Sequence, residues 1–215
     1  MRIAALYDVH GMPWALEAVL AEVDADAIVF GGDLAWGPFP RETIELIRSV
    51  DAHVIRGNAD REPDEWLSEQ LAADELAWLT SLPPSASIDD VFYCHATPRS
   101  DEEIVTPETP DDLLEQMLAD VGERLVVGGH THMQQRRGRY ANAGSVGMPY
   151  ENDVAAFWAV IADDVEFRRT EFDVERAIVE IRRSAWPLAE TFARENLAEA
   201  PSREEAIVQF RPSGT

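Results

Sequence analysis

The chain of 215 residues sets 41 acidic side chains against 18 basic ones, all of them arginine, for a formal charge of −23. Its length suits one large domain, or one domain with an appendage, and is enough to bury a substantial core; the charge excludes a broad electrostatic grip on DNA, RNA or anionic lipid. A single cysteine, Cys94, excludes an intrachain disulfide, and neither an apolar run of about 18 residues nor a secretory leader in residues 1–7 is visible, so the expected setting is the cytoplasm, away from membranes and nucleic-acid polymers.

Residues 3–7 read as a buried strand that runs into Asp8-Val9-His10-Gly11. Positions i and i+2 of an extended chain point the same way, which places the Asp8 carboxylate and the His10 imidazole on one side while Gly11 turns the chain. Pro13 opens a helix that reaches about Val23, with Trp14, Leu16, Val19, Leu20 and Val23 on a helical period. Strand, polar turn and helix in succession are the grammar of an α/β fold, in which ligands gather beyond the carboxyl ends of the strands.

The pattern repeats along the chain. Residues 27–30 form a second buried strand followed by Gly31-Gly32-Asp33, Pro40 starts a helix over residues 41–50, and residues 53–56 form a third strand that delivers Gly57-Asn58-Ala59-Asp60. A polar, helix-rich stretch follows, with Trp66, Leu67, Leu71, Leu76, Trp78 and Leu79 as its buried face, and Pro83-Pro84 ends it. Residues 91–94 are a fourth strand ending on His95. Residues 125–128, rich in valine, close on two glycines and carry His130-Thr131-His132, whose imidazoles by the same two-residue period project into a common space.

Arg136-Arg137-Gly138-Arg139 reads as a hairpin tip, more simply a solvated turn than a grip for an anion. Residues 154–162 and 165–172 are expected to complete the second sheet as antiparallel strands. Residues 173–200 read as two helices broken at Pro187, and residues 201–215 as a short helix with a frayed tail. The expected organisation is a main domain over residues 1–172 and a helical extension over 173–215 that packs on the core or on a second copy of the chain.

One position recurs. Asp8 with His10, Asp33, Asn58, His95, and His130 with His132 all stand at strand ends, and apart from His53 every histidine in the protein is among them. Imidazole is the commonest side-chain metal ligand near neutral pH. Taken in order, Asp-x-His, Gly-Asp, Gly-Asn-x-Asp, a lone His after a strand, and Gly-His-Thr-His resemble the calcineurin-like metallophosphoesterase superfamily, and Asn142-Ala143-Gly144-Ser145-Val146-Gly147-Met148-Pro149 is similar to its short prokaryotic phosphodiesterase branch. The resemblance spans residues 1 to about 170.

It implies an α/β four-layer α/β/β/α sandwich with two packed mixed β-sheets, the metallo-dependent phosphatase fold, and a two-metal site at the strand ends. By matching position, Asp8, His10 and His132 take the first metal, Asn58, His95 and His130 the second, and Asp33 bridges them. Oxygen and nitrogen donors without a thiolate suit Mn, Fe, Zn or Ni, and a carboxylate is the natural bridge in two-metal hydrolases. The activity implied is hydrolysis of a small phosphodiester, cyclic nucleotides included, by in-line attack of a metal-bound hydroxide. The alternatives are a phosphomonoesterase or protein Ser/Thr phosphatase, and an inactive binding or scaffold module such as the retromer subunit of this superfamily.

Asn58, Asp60, His95 and Arg99 make up the expected catalytic group, with Trp36, Arg99 and Tyr150 around the substrate. Many members of the superfamily carry a histidine after the Gly-Asn pair, where this chain has Ala59, and a methyl group donates no proton. Asp60 serves either to orient its neighbours or to cap a helix. Arg99 offers a donor to a phosphate oxygen or a surface salt bridge. Trp36 and Tyr150 offer aromatic faces to a base or aryl leaving group, or to the core, and Tyr150 stands where the branch often has arginine.

Overall fold

Side chains alternate along β1 (Ile3–Leu6), and that alternation sets up the layers. Ile3, Ala5 and the following Tyr7 enter one apolar cluster, while Ala4 and Leu6 enter another on the opposite face. The structure is a computed structural model that describes residues 1–211; the far end of the expected frayed tail, 212–215, lies outside the described residues.

After β1 come α1 (Pro13–Glu22), β2 (Ala27–Gly31), α2 (Pro40–Ser49), β3 (His53–Ile55), the single turn α3 (Asn58–Arg61), α4 (Glu65–Gln70), α5 (Ala73–Ser81), β4 (Ser85–Ile88) and β5 (Val91–Cys94). Then follow α6 (Asp111–Met117), β6 (Leu125–Gly128), β7 (Gln135–Arg137), β8 (Tyr140–Asn142), β9 (Ala156–Ile161) and β10 (Val165–Thr170). The chain continues through α7 (Val174–Arg183), α8 (Ala189–Phe192), a π-helical turn (Ala193–Ala198) and α9 (Arg203–Gln209). Both α1 and α2 begin on a proline, whose missing N–H is an unpaired group in any first turn.

Among the described residues the strands form two five-stranded sheets, β10-β9-β1-β2-β3 and β4-β5-β6-β8-β7, each mixed. They pack face to face through Tyr7, Val29, Ile55, Val91, Tyr93, Leu125, Val127 and Ile161, all buried. The outer face of the first sheet takes α1, α2, α7 and the segment from Trp186 to Leu197. The outer face of the second, through Val126 and Tyr140, takes Leu114 and Met117 of α6 together with Val105. The result is the four-layer α/β/β/α sandwich.

Two features differ from the sequence reading. The strands expected to complete the second sheet, β9 and β10, instead complete the first, with β9 antiparallel to β1 in the register Ile3↔Ile161. The reason lies in the turn before them: the N–H groups of Val146 and Gly147 bond to the carbonyls of Tyr7 (2.9 Å) and Asp8 (3.0 Å), which carries the chain from β8 across the end of β1 to its open edge. The strand β4, pairing antiparallel with β5 at the sheet edge, alternates serine with Ala86 and Ile88, which pack against the cluster between the sheets; so short a run directly after Pro83-Pro84 went unread. The arginine-rich hairpin forms as expected, with Gly138 at φ +51. Its side chains turn to backbone carbonyls, Arg139 to Val121 (2.9 Å) and Glu123 (3.1 Å), and Arg137 to Thr106 (3.0 Å). Among the described residues no helix is long and apolar enough to cross a membrane.

Tyr7 is fully buried between the sheets and its hydroxyl donates to the Val127 carbonyl across them at 2.9 Å. Replacement by phenylalanine keeps the packing and removes one buried hydrogen bond. Tyr7→Phe is therefore expected to lower stability by about 0.5–1.5 kcal/mol in urea unfolding without changing the slope of the transition.

Candidate metal centre

The strands β1, β2 and β3 run parallel, as do β5 and β6, and their carboxyl ends meet at one edge of the sandwich. Each chain segment leaves that edge through a turn bearing one or two of the polar residues singled out above. The turns are not extended, as the two-residue period assumed. Asp8 (φ 53), His10 (φ 50), Asp33 (φ 50), His130 (φ 66) and His132 (φ 56) all lie in the left-handed region. A side chain there costs about 1 kcal/mol or more per residue. Hydrogen bonds between neighbouring turns hold it in place: Asp8 N–H to the Gly32 carbonyl (3.1 Å), His10 N–H to that of Asp33 (3.0 Å), and His130 N–H to Asp8 Oδ2 (2.9 Å).

The consequence is a division. Extended geometry would keep His130 and His132 in one space, whereas the resemblance assigns them to different metals; in the structure His132 joins Asp8 and His10, while His130 joins Asp33 and His95, and both groups have ligand atoms close enough to hold a metal ion. In the first, His10 Nε2 lies 3.1 Å from His132 Nε2, and Asp8 Oδ1 lies 3.3 Å from His132 Nε2 and 3.8 Å from His10 Nε2. In the second, Asp33 Oδ2 is 3.4 Å from His95 Nε2. The same Asp33 oxygen is 4.0 Å from His10 Nε2, so it faces both groups.

The rings are fixed from behind. Nδ1 of His10 faces the Trp36 carbonyl (3.2 Å), Nδ1 of His95 the Gly31 carbonyl (3.0 Å) and Nδ1 of His132 the Met148 carbonyl (2.6 Å). A carbonyl only accepts, so each Nδ1 carries a proton, and each ring in its neutral form presents a lone pair at Nε2. Asp8 Oδ1, Asn58 Oδ1 and His95 Nε2 are buried and make no hydrogen bond among the described residues. Facing lone pairs and orphaned oxygens without a thiolate fit hard or borderline divalent cations. Glycines clear the space: a Cβ at Gly57 would collide with Asp33 Oδ1, and one at Gly129 with Asp8 Oδ2.

Charge is strongly coupled here. His10 and His130 are pushed down to about 4, in each case by burial and then by a neighbouring histidine. Burial alone would lower His95 as well, but Asp33 and then Asp8 outweigh it and lift the group to about 10. Burial would raise both carboxyls, yet His132 holds Asp8 and His95 holds Asp33 below the ordinary carboxylate range. Asp60 is lifted to about 7 by burial and by Asp33.

Asp60 braces the site from beneath. Its two oxygens accept the N–H groups of Leu34 (3.0 Å) and Gly57 (2.9 Å), the residues flanking Asp33 and Asn58, and it thereby both caps α3 and ties two ligand-bearing turns together. A cleft of about 450 Å³ opens above His10, Asp33, Asn58, His130 and His132. Trp36 and Tyr150 line it, and the Tyr150 ring stacks on His132 with centroids 5.0 Å apart.

Arg99 is not brought to this cleft. Its guanidinium pairs with Glu103 one turn along and reaches the Gln116 carbonyl, and it lines a separate depression. Sequence reading passed over Arg61, Glu62, Asp64, Glu102 and Phe210, which also line the cleft. Arg61 closes the one-turn helix that Asn58 opens, pairing with Asp101 (3.4 Å) and Glu102 (2.6 Å), and that three-residue spacing was the available signal. For Phe210, at the far end of the chain, the sequence held none.

Two outcomes are expected. Saturating Mn²⁺ at about 100 times its Kd raises unfolding stability by about 2.7 kcal/mol, read as a thermal shift; His95→Ala abolishes the shift, while the exposed His53→Ala keeps it. Asp60→Asn replaces one acceptor with a donor that faces an N–H, so it lowers stability by about 1–3 kcal/mol and weakens Mn²⁺ binding in the same titration.

Comparison with known proteins agrees with this geometry. Residues 1–164 match the calcineurin-like phosphoesterase superfamily domain. An uncharacterized protein of Methanocaldococcus jannaschii is 24% identical over 227 residues, covering 86% of this chain and 93% of that protein. The crystal structure of a metallophosphoesterase from Sphaerobacter thermophilus is 27% identical with a TM-score of 0.77, covering 93% of this chain and 98% of its own. A hypothetical protein from Pyrococcus horikoshii, 18% identical, shares the fold at a TM-score of 0.77 over 89% of this chain and 97% of that one. With that match over most of its length, the chain belongs to the calcineurin-like phosphoesterase superfamily.

Proposed function

We propose that this protein hydrolyses a small phosphodiester in the cytoplasm, using two divalent ions drawn from Mn, Fe, Zn or Ni. Asp8, His10 and His132 would hold one ion and Asn58, His95 and His130 the other, with Asp33 facing both groups. The observation that carries this reading is Asp33 Oδ2, which faces His95 Nε2 at 3.4 Å and His10 Nε2 at 4.0 Å on the floor of an open cleft. Two cations bound there supply Lewis-acid activation of water and neutralise the charge of a phosphate.

The chain's own groups choose among esters. Glu62, Asp64 and Glu102 line the cleft, and Arg61, the one arginine among the described residues that line it, is already paired with Asp101 and Glu102. A phosphomonoester carries about −1.5 to −2 at neutral pH, a diester one charge, and the acidic rim repels the first more strongly. Ala59 leaves its backbone N–H on Asp33 Oδ1 (3.0 Å) but offers no proton to a departing oxygen.

A panel of bis(4-nitrophenyl) phosphate, 4-nitrophenyl phosphate and cyclic nucleotides with added Mn²⁺ tests the reading. Turnover is expected to vanish with chelator and return with metal, to favour the diester by about tenfold in kcat/KM, and to fall steeply as the leaving group becomes more basic. Glu62→Gln is expected to narrow the diester preference by about twofold. Preference for the monoester would replace this reading with a phosphomonoesterase, and no metal-dependent turnover of any ester would leave a binding module.

A further inference from the structure

We propose that the C-terminal segment forms an aromatic ledge beside the metal centre, in which Phe210 and Tyr150 select phosphodiesters bearing a planar aromatic group, a nucleobase or an aryl ring. The proposal rests on the phosphoesterase reading above and names the substrate class for that site. Its starting point is that Phe210 lines the same cleft as His10, Asp33 and His132 although it lies well beyond residues 1–164, which match the superfamily domain.

The ledge is continuous with the site. The Tyr150 ring stacks on His132 at 5.0 Å with planes 24° apart, and Phe210 packs on Tyr150 at 6.1 Å, tilted by 52°. A planar group lying against these rings is attached to a phosphate that lies over His132 and its partners. Facing the same cleft, Trp36 is held by its indole N–H on Asp64 (2.9 Å) and by an edge-on contact with Trp186. Aromatic faces such as these, beside a polar site that takes the phosphate, are what a cleft needs to recognise a flat, uncharged moiety.

The pose of Phe210 is built from both sides. Before it, Arg203 pairs with Glu151 (2.5 Å) and donates to the Gln134 carbonyl (2.7 Å), its N–H bonds to Asn152 Oδ1 (3.0 Å), and the Asn152 N–H returns to the Pro201 carbonyl (3.1 Å). After it, Arg211 makes a two-pronged pair with Glu108 (2.8 and 2.9 Å). The anchors at Glu151 and Asn152 adjoin Tyr150, so α9 and the ledge are fixed to each other. The charge of the cleft points the same way: with Glu62, Asp64 and Glu102 on the rim, a second phosphate is repelled while a neutral ring is accepted.

Three diesters with one leaving group isolate the effect: the 4-nitrophenyl esters of thymidine 5′-phosphate, phenyl phosphate and methyl phosphate, assayed with Mn²⁺ and the full chain. The expected result is a kcat/KM ratio of about five- to a hundredfold for a planar ester over the methyl ester, expressed in KM, that collapses toward one in Phe210→Ala and is retained in Phe210→Trp. Calorimetric binding of AMP against ribose 5-phosphate should show the same preference and the same loss. The thymidine and phenyl arms tell which planar group is read, and collapse in either supports the ledge. A ratio near one in the wild type, or one unchanged in Phe210→Ala while metal-dependent hydrolysis persists, overturns the ledge and leaves the phosphoesterase standing. Absence of metal-dependent hydrolysis of all three esters in the wild type overturns both.

Discussion

Nε2 of His10 and Nε2 of His132 face one another at 3.1 Å with Asp8 Oδ1 alongside, and the second nitrogen of each ring is committed to a backbone carbonyl. Lone pairs and carboxylate oxygens gathered in a buried space repel unless positive charge lies among them. A proton is one way to supply that charge, and His95, lifted to about 10 by its carboxylate neighbours against the effect of burial, takes it. A divalent cation is the other, and it satisfies several donors at once where a proton satisfies two. Site occupancy and folding are therefore coupled here: whatever binds these atoms also stabilises the turns that present them.

The sandwich exists in a form that makes this gathering affordable. Asp8 follows a strand of the first sheet, His130 a strand of the second, and the hydrogen bond from His130 N–H to Asp8 Oδ2 joins the sheets at their shared edge. Tyr7 does the same one residue deeper, through the Val127 carbonyl. Five left-handed residues at one edge form a concentration of strain that local propensity does not favour. Tyr7 and the apolar faces behind it hold the backbone to that course, and Asp60 holds the turns around Asp33 and Asn58 to each other. Asp60 belongs to positioning: it touches Leu34 and Gly57, and its effect reaches the cleft through them.

Much of this was legible in the chain because strand ends announce themselves. Short valine- and isoleucine-rich runs stopping at glycine gave the strands β1, β2, β3, β5 and β6 within a residue or so, and the polar residues after them gave the cluster members. Extended geometry could not give the way they divide. His130 and His132 separate because their backbone is left-handed, a state the residue names permit without requiring. Sheet membership of β9 and β10 was equally hidden, since an apolar strand buried on both faces fits any open edge, and the choice was made by hydrogen bonds from Val146 and Gly147. Arg99 takes the surface salt bridge that was one of its two readings, with Glu103 four residues on, a choice made by loop folding that residue type does not report. Phe210 enters the cleft only through tertiary folding of the last helix, which periodicity does not report.

A protein of charge −23 that receives an anion must do so at short range. Screening over about 8 Å removes the remote surface from the problem, so the cations and the acids on the cleft rim decide the local field. The arginines offer little further help. Arg136, Arg137 and Arg139 are spent on backbone carbonyls or surface acids, Arg99 on Glu103, and Arg61 on Asp101 and Glu102. With charge recognition confined to one phosphate, affinity for the rest of a substrate has to come from uncharged contact. In this cleft the uncharged surfaces large enough to provide it are Trp36, Tyr150 and Phe210, with Met148 also in the lining. The acidity of the chain and the aromatic character of its cleft are two sides of one constraint: the more completely the basic side chains are used internally, the more selectivity must rest on shape and stacking.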